Sequence, residues 1–222
     1  MPRQTEPIAI QAAVKNIKCI EENDVIGSDE PYVLVAAINL ASLPPGLEVT
    51  LYGPWSDVDS GEVHGTFKIP QNVPQPIIDT LKLLLVLRTP FWGLDNKSAA
   101  VISKPDDVVF LAAVLEHDDG KPEAARALVK GSLAATLATG LNLQRDVLVP
   151  KLIHDMDSAL AIPAEAPDIG FWSPDDQIGG TLELKLRPKD LNRAQAGKAE
   201  KQLHFIGSSG EYLVTFLLAP QV

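Results

Sequence analysis

From residue 8 to residue 20 apolar and polar positions alternate, and the period of two predicts a strand that runs into an acidic stretch. Residues 32–40, YVLVAAINL, are almost continuously apolar, as expected of a buried strand. A Pro-Pro-Gly turn then precedes a short strand at 47–52. Prolines in TFKIPQNVPQP rule out a central strand there. The run IIDTLKLLLVLR fits a buried strand or a short helix, and periodicity alone does not choose. Another buried strand is predicted at 108–115, ending in acid.

The spacing then changes. From Pro122 to about Ile162 the chain is rich in Ala and Leu at helical intervals. Ala125, Leu128, Val129, Leu133, Thr136 and Leu137 share one face, and Leu148, Leu152, Met156 and Leu160 share another. Pro122 suits a first helical turn and Gly140 a helix end, while Pro150 either kinks the second helix or marks its start. Period two returns in GGTLELKL, and LHFIGSSGEYLVTFLL reads as a closing hairpin with a Ser-Ser-Gly turn. The polar stretch between them, RPKDLNRAQAGKAEKQ, predicts a surface loop or short helix. Strands on both sides of a helical pair predict a mainly β fold. It is an antiparallel β-sandwich, one domain over 1–222, with an α-helical hairpin inserted at 120–170.

Composition narrows the function. The chain has 222 residues, 45% hydrophobic and 22% charged, with a net charge of −10. That charge argues against nucleic acid and against unassisted adhesion to anionic lipid, unless bound cations cancel it locally. Cys19 is the single cysteine, so no intrachain disulfide forms, and it reads as a buried small hydrophobe. The first residues lack the apolar core of a signal peptide, and no apolar run approaches a membrane-spanning length. The expectation is a soluble protein, cytoplasmic or at the membrane periphery, with export by a route that needs no signal peptide left open.

Acid gathers at the predicted strand ends in four clusters: Asp24, Asp29 and Glu30; Asp57, Asp59 and Glu62; Glu116, Asp118 and Asp119; Asp175 and Asp176. Lys and Arg are scarce in these stretches. Carboxylates held close together repel, and a divalent cation offsets that repulsion. Calcium accepts six to eight oxygens in irregular geometry, so loops from different strands can share one ion. Single acids in loops also serve turns and helix caps, and Asp119 ahead of Pro122 suits a cap.

The stretch DVIGSDEPYVLV resembles the first calcium loop of a C2 domain. Asp24, Gly27, Ser28, Asp29, Pro31, Tyr32 and Val33 follow the family order, with Glu30 added between the second Asp and the Pro. VFLAAVLEHDD and DDQIGGTLELKL are similar to the two halves of that family's third calcium loop, with the helical hairpin between them. The resemblance implies an eight-stranded sandwich that binds calcium at one end. It also implies docking on an anionic phospholipid membrane or a protein partner. The ligand set it implies is Asp24, Asp29, Glu30, Glu116, Asp118, Asp119, Asp175 and Asp176. Each of Trp55, Trp92 and Trp172 stands just before acid, which makes them candidate membrane or partner contacts, although a tryptophan at a strand end also packs on the core rim.

No phosphate-binding glycine loop, His-Glu-x-x-His or G-x-S-x-G motif is present, and the four histidines are dispersed. The leading expectation is therefore a non-enzymatic, calcium-dependent binding module. The alternative is a structural or toxin-like sandwich in which calcium only stabilises loops and the hairpin makes protein contacts. A metal-dependent hydrolase using Asp118 and Asp119 ranks third, because no nucleophile or general base is evident.

Overall fold

A computed structural model describes residues 8–22, 29–65, 89–93, 101–117, 121–140, 142–161 and 176–221. TFKIPQNVPQP and IIDTLKLLLVLR lie outside the described residues, as do Asp24, Asp118, Asp119, Asp175 and Trp172. The strands are β1 (Ile8–Glu22), β2 (Pro31–Asn39), β3 (Gly46–Tyr52), β4 (Val63–Gly65), β5 (Val101–Ile102), β6 (Val108–Glu116), β7 (Gln177–Glu183), β8 (Ala199–Gly207) and β9 (Gly210–Pro220). They form two antiparallel sheets. One has the order β4-β1-β9-β8 with β5 also paired to β1, and the other is β3-β2-β6-β7. The strands β1, β2, β3, β6, β7 and β9 start within about two residues of their sequence-predicted positions, while β8 begins four residues early, at Ala199, inside the stretch expected as a surface loop or short helix.

The apolar runs of β2 and β6 have a simple cause: both strands are buried on both faces. Val33, Val35 and Ala37 point into the core between the sheets, with Phe110, Ala112 and Val114 of β6. The intervening Tyr32, Leu34, Ala36 and Ile38 point the other way, with Leu111, Ala113 and Leu115, into a second core under the helices. Alternation therefore sorts one continuous apolar sequence into two cores. The result has three layers, sheet on sheet on helical pair.

The helical pair is α1 (Pro122–Thr139) and α2 (Arg145–Leu160), which together connect β6 to its sheet neighbour β7. Pro122 occupies the first turn, and the Gly140 N–H closes α1 by donating to the Thr136 carbonyl at 2.8 Å. Pro150 lies inside α2 instead of at its start. Of the predicted apolar faces, Leu128 alone is turned out, at 36% exposure. Thr136 donates its hydroxyl to the Asp155 carboxylate, which also accepts Lys151 Nζ at 2.9 Å. Burial raises the Asp155 pKa, but Thr136 and Lys151 outweigh it and hold the carboxyl below its ordinary value. Asp157 Oδ1 accepts both Gln177 Nε2 and the Thr181 N–H at 2.8 Å, which fastens α2 to β7.

Arg145 fastens the other end of the pair. Its guanidinium donates to the Val108 carbonyl at 3.0 Å and to Glu183 Oε1 at 2.7 Å, joining α2 to the start of β6 and the end of β7. Arg145→Met keeps the side-chain volume but leaves the partly buried Glu183 carboxylate without that donor. A loss of about 2 kcal/mol in urea unfolding is expected.

A third helix, α3 (Pro188–Gln195), closes the sandwich beside β8. Its buried Asp190 accepts Lys201 Nζ at 2.9 Å and the Arg187 N–H at 3.0 Å. Burial raises the Asp190 pKa, but the Lys201 and Arg187 contacts outweigh it, so the carboxyl titrates below its ordinary value. A depressed carboxylate stabilises the fold above the unfolded pKa of about 4 and loses that contribution as pH falls through its folded value. Asp190→Asn should cost about 1–3 kcal/mol at pH 7. The gap to wild type, followed by urea unfolding, should narrow as pH falls through the depressed folded pKa of Asp190.

Candidate functional site at the acidic end

Antiparallel pairing brings four strand ends to one end of the sandwich. Pro31 at the start of β2 pairs with Glu116 at the end of β6, and Leu115 pairs with Gln177 at the start of β7. The flanking backbone continues the ladder: the Glu116 N–H donates to the Asp176 carbonyl at 2.8 Å, and the His117 N–H to the Glu30 carbonyl at 3.1 Å. In the other sheet Glu22, the last residue of β1, pairs with Gly210, the first of β9.

The loop between β3 and β4 is sewn to the same end. Val58 N–H donates to the Asp29 carbonyl at 3.1 Å, and Trp55 N–H to the Pro31 carbonyl at 3.0 Å. The Cys19 N–H donates to the Glu62 carbonyl at 3.0 Å, and the Glu22 N–H to Ser60 Oγ at 3.0 Å. Asp57 in this loop has φ 57°, a left-handed conformation that Asp tolerates better than most residues. Glu62 pairs with His64 Nε2 at 2.9 Å, and that contact holds its carboxyl below the ordinary value. Residues of all four sequence clusters thus sit at one end: Asp29 and Glu30, Asp57 to Glu62, Glu116, and Asp176.

Their side chains differ in placement. Asp176 is exposed and Glu30 half-buried, while Glu116 is 6% exposed and Asp29 fully buried. Asp29 Oδ2 accepts the hydroxyl of Tyr212, a core residue of β9 in the opposite sheet. Burial drives the Tyr212 pKa upward, and the Asp29 carboxylate drives it further. Cys19, also fully buried, is pushed up by burial, eased by its bond to Tyr212 and pushed again by the charges of Asp29 and Glu22. Asp29 therefore stands beneath the acidic rim and not on it.

Among the described residues, no three His, Cys, Asp or Glu side chains are grouped to hold a metal ion. Four of the eight sequence-predicted ligands, Asp24, Asp118, Asp119 and Asp175, lie outside the described residues. One feature fits a cation. Glu22 Oε2 is buried and has no hydrogen-bond partner among the described residues. The sequence-based ligand set omits Glu22, although Glu22 belongs to the same acidic stretch. Its local signal was indistinct, because a glutamate ending an alternating strand usually faces water.

The tryptophans separate. Trp55 is half-buried at the acidic end, packs on the inter-sheet core and donates Nε1 to the Gly65 carbonyl at 3.1 Å. Trp92 is 1% exposed, pairs beside Ala12 and meets Phe110 edge-on at 5.4 Å. Ala12 is ten residues before the end of β1, about 30 Å from the acidic end at the usual strand rise. Trp92 is thus a core residue and not a membrane or partner contact; its large apolar ring is worth more inside.

Tyr212→Phe removes the hydroxyl and leaves the buried Asp29 carboxylate without that donor. A destabilisation of about 1–3 kcal/mol by urea unfolding is expected, larger than for Tyr52→Phe, whose hydroxyl donates to the neutral Thr89 carbonyl.

No family model, curated protein or solved structure matches this chain.

Proposed function

We propose that the protein is a non-enzymatic, C2-like β-sandwich module whose acidic end takes calcium, with the helical hairpin carried inside the third calcium loop. The observation that carries this reading is the convergence of the acidic ends of β1, β2, β6 and β7, bonded through Glu116 to Asp176 and through His117 to Glu30. Glu22 Oε2, buried and without a hydrogen-bond partner among the described residues, supports it, since a hard cation is the natural partner for such an oxygen.

In this reading Glu30, Glu116 and Asp176 offer oxygens in a set that also includes Asp24, Asp118, Asp119 and Asp175, and Asp29 contributes from below. Calcium would supply positive charge and open coordination positions. The chain's own residues do the rest. Without the ion, the rim and the net charge of −10 repel anionic surfaces. With it, the rim is neutralised and can accept a phosphate or carboxylate from an anionic phospholipid membrane or a protein partner. Trp55 stands at the same end, where an indole can enter an interface.

Calorimetric titration with calcium tests this on wild type and on an Asp29→Asn/Asp119→Asn variant, with melting followed in parallel. Saturable heat and a raised melting temperature are expected in wild type and not in the variant. Vesicles of phosphatidylserine and phosphatidylcholine should then sediment with the protein only when calcium is present. Absence of heat and of a melting shift at millimolar calcium would overturn the metal reading. Calcium stabilisation without vesicle binding would instead favour a structural module.

A further inference from the structure

The outer face of the β1-containing sheet changes character along its length. At one end Ala13, Leu217 and Ala219 are 3% exposed or less. Near the acidic end the same face is open. Strand register defines it. Ile206, Glu211 and Glu21 lie in one row across β8, β9 and β1, and His204, Leu213, Lys18 and Val63 lie in the next, which reaches β4. Their inward-facing neighbours Phe205, Tyr212, Ile17 and Cys19 belong to the core, so these rows face out.

Three large apolar side chains stand in this open area: Ile206 at 63% exposure, Val63 at 57% and Ile20 at 38%. Beside them Glu21 and Glu211 are direct cross-strand neighbours, and like charges in that position destabilise a sheet. His204 Nε2 lies 2.6 Å from Glu211 Oε1, which tempers one of the two, while Glu21 is exposed.

We infer that this face docks a cationic, amphipathic protein segment, with apolar side chains seated on Ile20, Val63 and Ile206 and a Lys or Arg between Glu21 and Glu211. Charge complementarity selects this occupant. A second copy would bring a second Glu21 and Glu211 pair to the same face on two chains of net charge −10. An anionic bilayer would meet the same repulsion. The face lies on the sheet's outer surface and not among the strand-end loops, so docking needs no calcium.

The test is a titration of labelled protein, in EDTA, with an 18-residue amphipathic Leu/Lys helix. It is read by amide chemical shifts and by fluorescence anisotropy. A permuted Leu/Lys peptide of the same charge is the control. Saturable one-to-one binding is expected, with shifts concentrated at 18–21, 63 and 204–213. Val63→Ser/Ile206→Ser should weaken it about tenfold with its salt dependence kept, by loss of apolar anchors. Glu21→Gln/Glu211→Gln should weaken it and flatten the salt dependence. Leu128→Ser on α1 should bind as wild type. All these positions are exposed or half-buried, and if the serine pair fails to fold, the glutamine pair decides the question alone. Equal affinity for the permuted peptide, shifts elsewhere, or wild-type affinity in both paired variants would overturn the inference. So would a dimer in sedimentation, or phosphatidylserine-vesicle binding in EDTA, that is lost in Ile206→Ser.

Discussion

The Tyr212 hydroxyl donates to the Asp29 carboxylate across the boundary between the two sheets, with Cys19 bonded to the same phenol. Asp29 stands two residues before Pro31, the first residue of β2, while Tyr212 is the third residue of β9. A carboxylate with no exposure is costly unless it is hydrogen-bonded. The contact therefore holds two things in place, the spacing of the sheets at this end and the point where the first acidic loop enters β2. Asp29 also gives its carbonyl to Val58, so the loop between β3 and β4 depends on the same residue. Neutral packing could close the sheets; the buried polar pair sets their register to one another.

Around this pin the molecule divides into a rigid interior and a charged end. β2 and β6 contribute to both cores at once, so neither sheet nor helical pair is a detachable layer. The helical pair is held by polar contacts at chosen points, through Arg145 to Val108 and Glu183 and through Asp157 to β7. Those anchors lie at opposite ends of α2. They hold the return of the chain to Gln177 beside Leu115, which brings Asp176 to Glu116. The hairpin is thus what returns the last acidic cluster to the end where the others already stand.

Negative charge therefore accumulates on one end of a well-packed scaffold, where it stores repulsion. The fold relieves part of it locally. His64 takes Glu62, His204 takes Glu211, and Tyr212 takes Asp29. Histidines and a phenol are weak partners for so many carboxylates compared with Lys or Arg, so part of the repulsion remains at that end.

Much of the fold was legible in the sequence, because strand and helix periods are local. The long strands, the closing hairpin and both helices follow from alternation and from i, i+4 spacing, and the clustering of acid at strand ends is a plain sequence fact. Periodicity could not place Pro150 within α2, since a proline in the first two turns is compatible with a helix starting on either side of it. Nor could it separate the tryptophans. Trp55 and Trp92 have similar acidic neighbours, yet one lines the acidic end and the other is core, because Trp55 bonds to Pro31 at the start of β2 while Trp92 pairs with Ala12, ten residues before the end of β1. Nothing local marks the side chain of Asp29, a candidate ligand in the acidic stretch, or Glu22 Oε2 at the end of β1 as buried. Only the approach of β9 and of the loop between β3 and β4 buried them, and burial is a property of long-range pairing that no local pattern encodes.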